Sequence, residues 1–294
     1  MITLAAGGLE ASFAPDAGMV CHSLRHEGEE LLTQRDGVEG YARSGRTMGI
    51  PLLHPWANRL AEWEYEALGR RVDLRPLEGR VVKRDGETGL AIHGVLPGPW
   101  AVVDATGTRV AAERRPTDDP GFRAAFPFPH RIRLEAELGP RALRIATTVE
   151  ALEGEVPAAF GFHPYLTLPR VARADYAVEL PPMRRLELDE RKVPTGRTAD
   201  APAGAGTLGD RDLDDGFDEV ADGAVFSVTG GGRRVSVRVD SGFRCAQVFA
   251  PPDKDLICFE PMTAPGNALR TGAFRVASPG APYTAVFEIA VDAV

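Results

Sequence analysis

The sequence predicts an all-β protein, a sandwich or a barrel, and three observations carry that prediction. Apolar residues recur with period two. Gly and Pro number 32 and 24 of 294 residues, which is dense in chain reversals. No long amphipathic helical pattern interrupts the strands.

The strands follow in chain order. Ile2–Leu4 and Met19–Leu24 are short apolar candidates, as is Trp100–Asp104. In His130–Leu138, Arg131, Arg133, Glu135 and Glu137 alternate with Ile132, Leu134, Ala136 and Leu138. That is a strand with one wet and one buried face. Gly139-Pro140 turns the chain, and Leu143–Val149 returns. Tyr176–Leu180 and Ala224–Val228 are further candidates, and Gly230-Gly-Gly232 is a hairpin tip by its flanks. Arg234–Asp240 and Tyr283–Val291 alternate again. The small, polar stretch from Pro194 to Gly209 predicts a long surface loop rather than a domain linker, since composition does not change across it.

Composition excludes several functions. Lys and Arg number 34 against 42 Asp and Glu, a net charge of −8. A general nucleic-acid binder needs a basic face to displace counterions, and an anionic membrane surface needs the same. Cys21, Cys245 and Cys258 are odd in number and dispersed, which speaks against a disulfide framework or a cysteine zinc site. The N-terminus lacks the basic and apolar segments of a signal peptide, and no stretch reaches transmembrane length, so a cytoplasmic protein is expected. Gly204–Gly209 fits GxGxxG by letter, but neither strand nor helix flanks it, so no nucleotide cofactor is read there.

Four clusters and a weaker fifth carry candidate chemistry. Glu260 sits in the apolar run Leu256–Met262, where burying a carboxylate is costly without partners. Pro261 holds Glu260 extended. It is either a general base or a strand-end glutamate facing solvent. His163, between Phe162 and Pro164, is either an acid/base group or a core histidine bonded to a carbonyl. His93-Gly94 offers a donor close to a ligand, or an ordinary turn. Asn58-Arg59 reaches a ligand, or a surface carboxylate. Asp214 and Asp215 grip hydroxyls, or simply make a turn before Gly216. His54-Pro55 serves to position the Trp56 loop. His22 and His26 read as surface histidines. A metal site assembled from His54, His93, His163 and Glu260 is an alternative without a local motif, and no metal is expected.

Together these pieces resemble the aldose 1-epimerase, or galactose mutarotase-like, family. The matching segments are Asn58-Arg59, Ile92-His93-Gly94, His163-Pro164-Tyr165, Leu213–Phe217 and Phe259–Pro265, in the family's order. The resemblance implies one large antiparallel β-sandwich over residues 1–294. It implies cofactor-free interconversion of sugar anomers, with a small-molecule sugar as partner. By position, Glu260 matches the general base at the C1 hydroxyl and His163 the acid at the ring oxygen. His93 and Arg59 match residues near the ring oxygen, and Asp214 a carboxylate that binds hydroxyls, with Asp215 the alternative by one register step. Asn58 and Gln247 match sugar-contacting positions. Val95 and Asp215 depart from galactose-type members, which puts galactose itself in doubt. A hexose-6-phosphate mutarotase using Arg43, Arg46, Arg59, Arg70 or Arg71, a non-catalytic sugar binder and a metal-dependent barrel enzyme are the competing readings.

Overall fold

A computed structural model describes all of residues 1–294. Every ladder between its strands is antiparallel, and two large sheets dominate. The first has nine strands in the order Ala101–Ala105, Arg109–Arg114, His130–Leu138, Ala142–Ala151, Tyr283–Ala293, Arg233–Ser241, Val225–Gly230, Ala177–Leu180 and Gly204–Thr207. The second has eight. Pro194–Ala201, Met183–Leu188, Leu213–Asp218, Cys245–Ala250, Ile257–Met262, Gly161–Phe162 and Leu52–Leu53 follow in order, and Tyr165–Leu166 adds to Ile257–Met262. Residues 2–30 form a separate four-stranded antiparallel sheet.

The alternation works as the sequence predicts. Ile132, Leu134 and Ala136 are buried, while Arg133 reaches Glu113 at 2.7 Å on the wet face. Such exposed pairs contribute little stability, and the buried face holds the sheet. The two large sheets meet through aromatic side chains. Phe162 packs on Phe287 with ring centroids 4.8 Å apart, and Phe259 on Phe226 at 5.7 Å. Because side chains alternate, Phe162 and Phe259 turn into the sandwich while His163 and Glu260 turn to the opposite face of the eight-stranded sheet.

One expectation is corrected. Residues 194–209 do not form a long loop. Pro194–Ala201 edges the eight-stranded sheet and Gly204–Thr207 edges the nine-stranded one, so the segment crosses between the layers as two edge strands. Its small polar residues hide the pattern because edge strands here bury little, and exposed faces leave no apolar period. Gly231-Gly232 do form a hairpin tip, with φ of 59° and 75°. No helix is long and apolar enough to cross a membrane.

Candidate active site

An open pocket lies on the outer face of the eight-stranded sheet. Asn58, Arg59, His93, His163, Asp214, Gln247 and Glu260 all line it. Register explains the floor. Gln247 pairs with Glu260 across neighbouring strands, and Gly216 pairs with Gln247. Asp214 is two residues from Gly216, so it shares that face. Asp215 points the other way, where it meets Arg185 at 2.5 Å. Asp214 lines the pocket and Asp215 does not.

Glu260 is 2% exposed and His163 5%. Glu260 Oε1 lies 3.2 Å from His163 Nε2. The Tyr165 hydroxyl also contacts that nitrogen at 3.2 Å and Thr47 at 2.6 Å. The Tyr165 ring stacks on the imidazole, centroids 4.2 Å apart and planes 4° from parallel. His163 Nδ1 is buried without a hydrogen-bond partner, so the Tyr165 stack and the two Nε2 contacts hold the ring. Burial holds Glu260 well above the ordinary carboxylate range; Asp214 adds to this and Arg59 opposes it. Burial, with the Arg35 and Lys83 cations, holds His163 well below the ordinary histidine range. Each group is thus pushed toward its uncharged form.

The walls are a connected polar chain. Asn58 Nδ2 donates to Gln247 Oε1 at 3.1 Å, and Gln247 Nε2 donates to Asp214 at 2.7 Å. Lys192 bridges Asp214 at 2.8 Å and Glu87 at 2.9 Å. Arg59 Nε donates to Asp85 at 2.8 Å. Burial disfavours the Asp85 carboxylate, but hydrogen bonds from Thr88 and Arg59 prevail and bring it down to about 2.

Asn58 and His93 both have left-handed backbones, with φ of 57° and 61°. Such conformations cost of order 1–3 kcal/mol each in non-glycine residues. They are held by each other: His93 N–H donates to Asn58 O at 3.0 Å, and Asn58 N–H donates to His93 Nδ1 at 3.2 Å. That second bond makes Nδ1 an acceptor and leaves the Nε2 proton of the neutral ring as a donor. Burial, then Lys83, His163 and Arg59, keeps His93 neutral. Gly94 has a different reason than ligand approach. At φ 74°, a Cβ there would sit 2.2 Å from the His54 carbonyl, so glycine lets two backbones touch. Asn267 serves similarly from a distance, taking Ala61 N–H at 2.9 Å and donating its own N–H to Arg59 O at 2.7 Å.

Several other sequence expectations separate here. His54 does not join the pocket; its Nε2 lies 3.2 Å from His130 Nε2. The four residues raised as metal ligands therefore do not converge. Of Arg43, Arg46, Arg59, Arg70 and Arg71, only Arg59 lines the pocket. Arg46 pairs with Asp36 and Arg71 with Glu64 instead. His22 and His26 lie half-buried along Val20–His26, and His26 accepts from Arg233 at 3.1 Å. Arg35, Lys83 and Asp85 are pocket residues outside the motif segments, and Tyr165 lies inside one of them without a role of its own. Tyr165 had a local signal, two residues past His163 on an alternating segment; the others are brought in by long-range packing.

The chain matches the aldose 1-epimerase family over residues 1–290. Its fold is similar to a galactose mutarotase-like protein from Clostridium acetobutylicum, at TM-score 0.84 and 19% identity, covering 99% of this chain and 95% of that one. It is similar to an aldose epimerase homologue from C. elegans, at TM-score 0.81 and 16% identity, covering 100% and 98%. A putative aldose 1-epimerase from Escherichia coli K12 matches at TM-score 0.77 and 18% identity over 100% and 99%. No curated protein matches the chain.

Proposed function

Since the chain belongs to the aldose 1-epimerase family, we propose that it interconverts the α and β anomers of an aldose by acid/base ring opening and reclosure. The observation that carries this reading is the pair of nearly fully buried groups, Glu260 and His163, 3.2 Å apart on the pocket floor.

Hemiacetal opening needs a base on the C1 hydroxyl and an acid on the ring oxygen. Burial resists charge on Glu260 and on His163, so the resting pair holds one proton between them. Moving that proton from Glu260 to His163 yields a carboxylate base and an imidazolium acid with no change in proton count. Glu260 takes the C1 hydroxyl proton, and the C1–ring oxygen bond breaks as His163 protonates that oxygen. The open aldehyde turns about C1–C2. Reclosure on the other carbonyl face returns both protons to their starting groups. His93 Nε2–H and Arg59 orient the ring-oxygen region. Asp214, Gln247 and Asn58 hold hydroxyls through the polar chain that already fixes their rotamers.

A binding module would have no use for a costly buried carboxylate beside a histidine. Polarimetry of freshly dissolved α-aldoses tests the reading. Faster approach to equilibrium with substoichiometric protein is the expected result. Binding of a sugar with no faster anomer exchange would contradict it.

A further inference from the structure

The cations around the pocket fall into two classes. Arg59 is neutralised by Asp85, Lys192 by Asp214 and Glu87, and the exposed Lys254 has Asp253 at 4.0 Å. Arg35 and Lys83 line the same pocket with no carboxylate oxygen within 4.0 Å and no hydrogen-bond acceptor. Both are half-buried.

Their placement is specific. The Arg35 guanidinium lies 4.4 Å over the Tyr165 ring, whose other neighbour is His163. Arg35 itself has φ of 40°, an uncommon backbone for that residue. Lys83 lies on Val82–Arg84, paired with the strand that carries His93. The register shifts there, so that Lys83 alone faces Ile92, His93 and Gly94. Irregular pairing of this kind re-aims side chains. Both cations therefore belong to the His163–His93 side, whereas Asp214 and Gln247 belong to the Glu260 side. Burial and the nearby Arg35 lower the Lys83 ammonium to about 8, as befits a cation lacking a counter-ion.

A neutral sugar gives these two groups nothing to compensate. We propose that the substrate is an aldose bearing an anionic group, carboxylate or phosphate, on the exocyclic carbon attached to C5, with Arg35 and Lys83 as its counter-ions. The placement rests on the reading above that His163 acts at the ring oxygen. That oxygen links C1 to C5, so the C5 substituent falls on the His163 side, away from C1 and Glu260. A guanidinium fork and an ammonium suit either anion.

Mutarotation rates for glucose, glucuronate and glucose 6-phosphate test this, using the wild type, Arg35→Gln, Lys83→Met and Lys83→Arg. The wild type should show kcat/KM about ten-fold or more higher for one charged sugar than for glucose. Arg35→Gln and Lys83→Met should each lower that charged-to-neutral ratio about ten-fold, and Lys83→Arg should largely keep it. Preference for glucuronate identifies a carboxylate, and preference for glucose 6-phosphate a phosphate. Equal rates on all three sugars, or a ratio that neither neutral variant moves, would overturn the proposal. If no sugar is turned over, the mutarotase reading fails, and calorimetry decides the anion site by itself. Binding of a charged sugar that Lys83→Met abolishes supports the site; absence of binding to the wild type overturns it.

Discussion

Two buried pairs, one histidine with a glutamate and one of two histidines, occupy this molecule at the same spacing and differ in partner and surroundings. His163 Nε2 lies 3.2 Å from Glu260, and His54 Nε2 lies 3.2 Å from His130 Nε2. The second pair is packed in phenylalanine. His54 stacks on Phe122 at 5.5 Å, and His130 meets Phe126 edge-on at 5.6 Å. His130 Nδ1 donates to the Phe128 carbonyl at 2.7 Å. Burial holds both rings neutral, lowering His130 to about 4 and His54 well below its ordinary value. Burial therefore depresses histidine in both places and does not distinguish chemistry from packing. The carboxylate does. Only His163 has a partner with which it can exchange a proton without creating net charge; His54 lines a cleft with Trp100, Phe122 and Arg114, whereas His163 and Glu260 share a pocket with Asn58, His93, Asp214 and Gln247.

The largest expected break in that contrast comes from Glu260→Gln. It should lower kcat for mutarotation about 10³-fold, while thermal unfolding shows no loss of stability, because one neutral hydrogen-bonding group replaces another of the same shape. His163→Asn should cost kcat about 10²-fold or more by the same polarimetric assay. The pH profile sharpens the point. A second proton on the His163–Glu260 pair removes the base, and burial resists that protonation. The acid limb of kcat should thus fall below the ordinary histidine value of about 6.5. An acid limb at or above that value would contradict a buried pair.

Smaller effects follow. Asp214→Asn should raise KM about ten-fold with little change in kcat, since it removes ground-state hydroxyl binding; Asp215→Asn, facing Arg185, should change neither constant. His130→Phe should leave kcat/KM within about two-fold and act on stability alone. His130 has a folded-state pKa lowered from 6.5 to about 4. Its contribution is present above the unfolded value and is lost as pH falls through the folded one. Chemical denaturation between those pH values should show a shallower loss of stability in His130→Phe than in the wild type.

The contrast also shows what the sequence could convey. Period two exposes the large sheets because they bury one face, and it places Glu260 and His163 opposite Phe259 and Phe162. The motif segments identify the pocket's floor and its Asn58–Arg59 and His93 walls. They do not separate Asp214 from Asp215, since that choice depends on strand register. Nor do they reach Arg35 or Lys83, which carry no local pattern and enter the pocket through contacts made far along the chain. Gly94 meets the same limit: it is needed for a backbone contact with His54, 40 residues away in sequence, not for ligand access. Polar edge strands such as Gly204–Thr207 are hidden because neither face is buried.

The central claim is that Glu260 and His163 work as one proton-sharing unit. The direct test is a double-mutant cycle on kcat for mutarotation, comparing wild type, Glu260→Gln, His163→Asn and the double variant. If the two act as a unit, the double variant should be about as slow as the slower single variant. Losses that multiply, or a Glu260→Gln variant at wild-type rate, would contradict it.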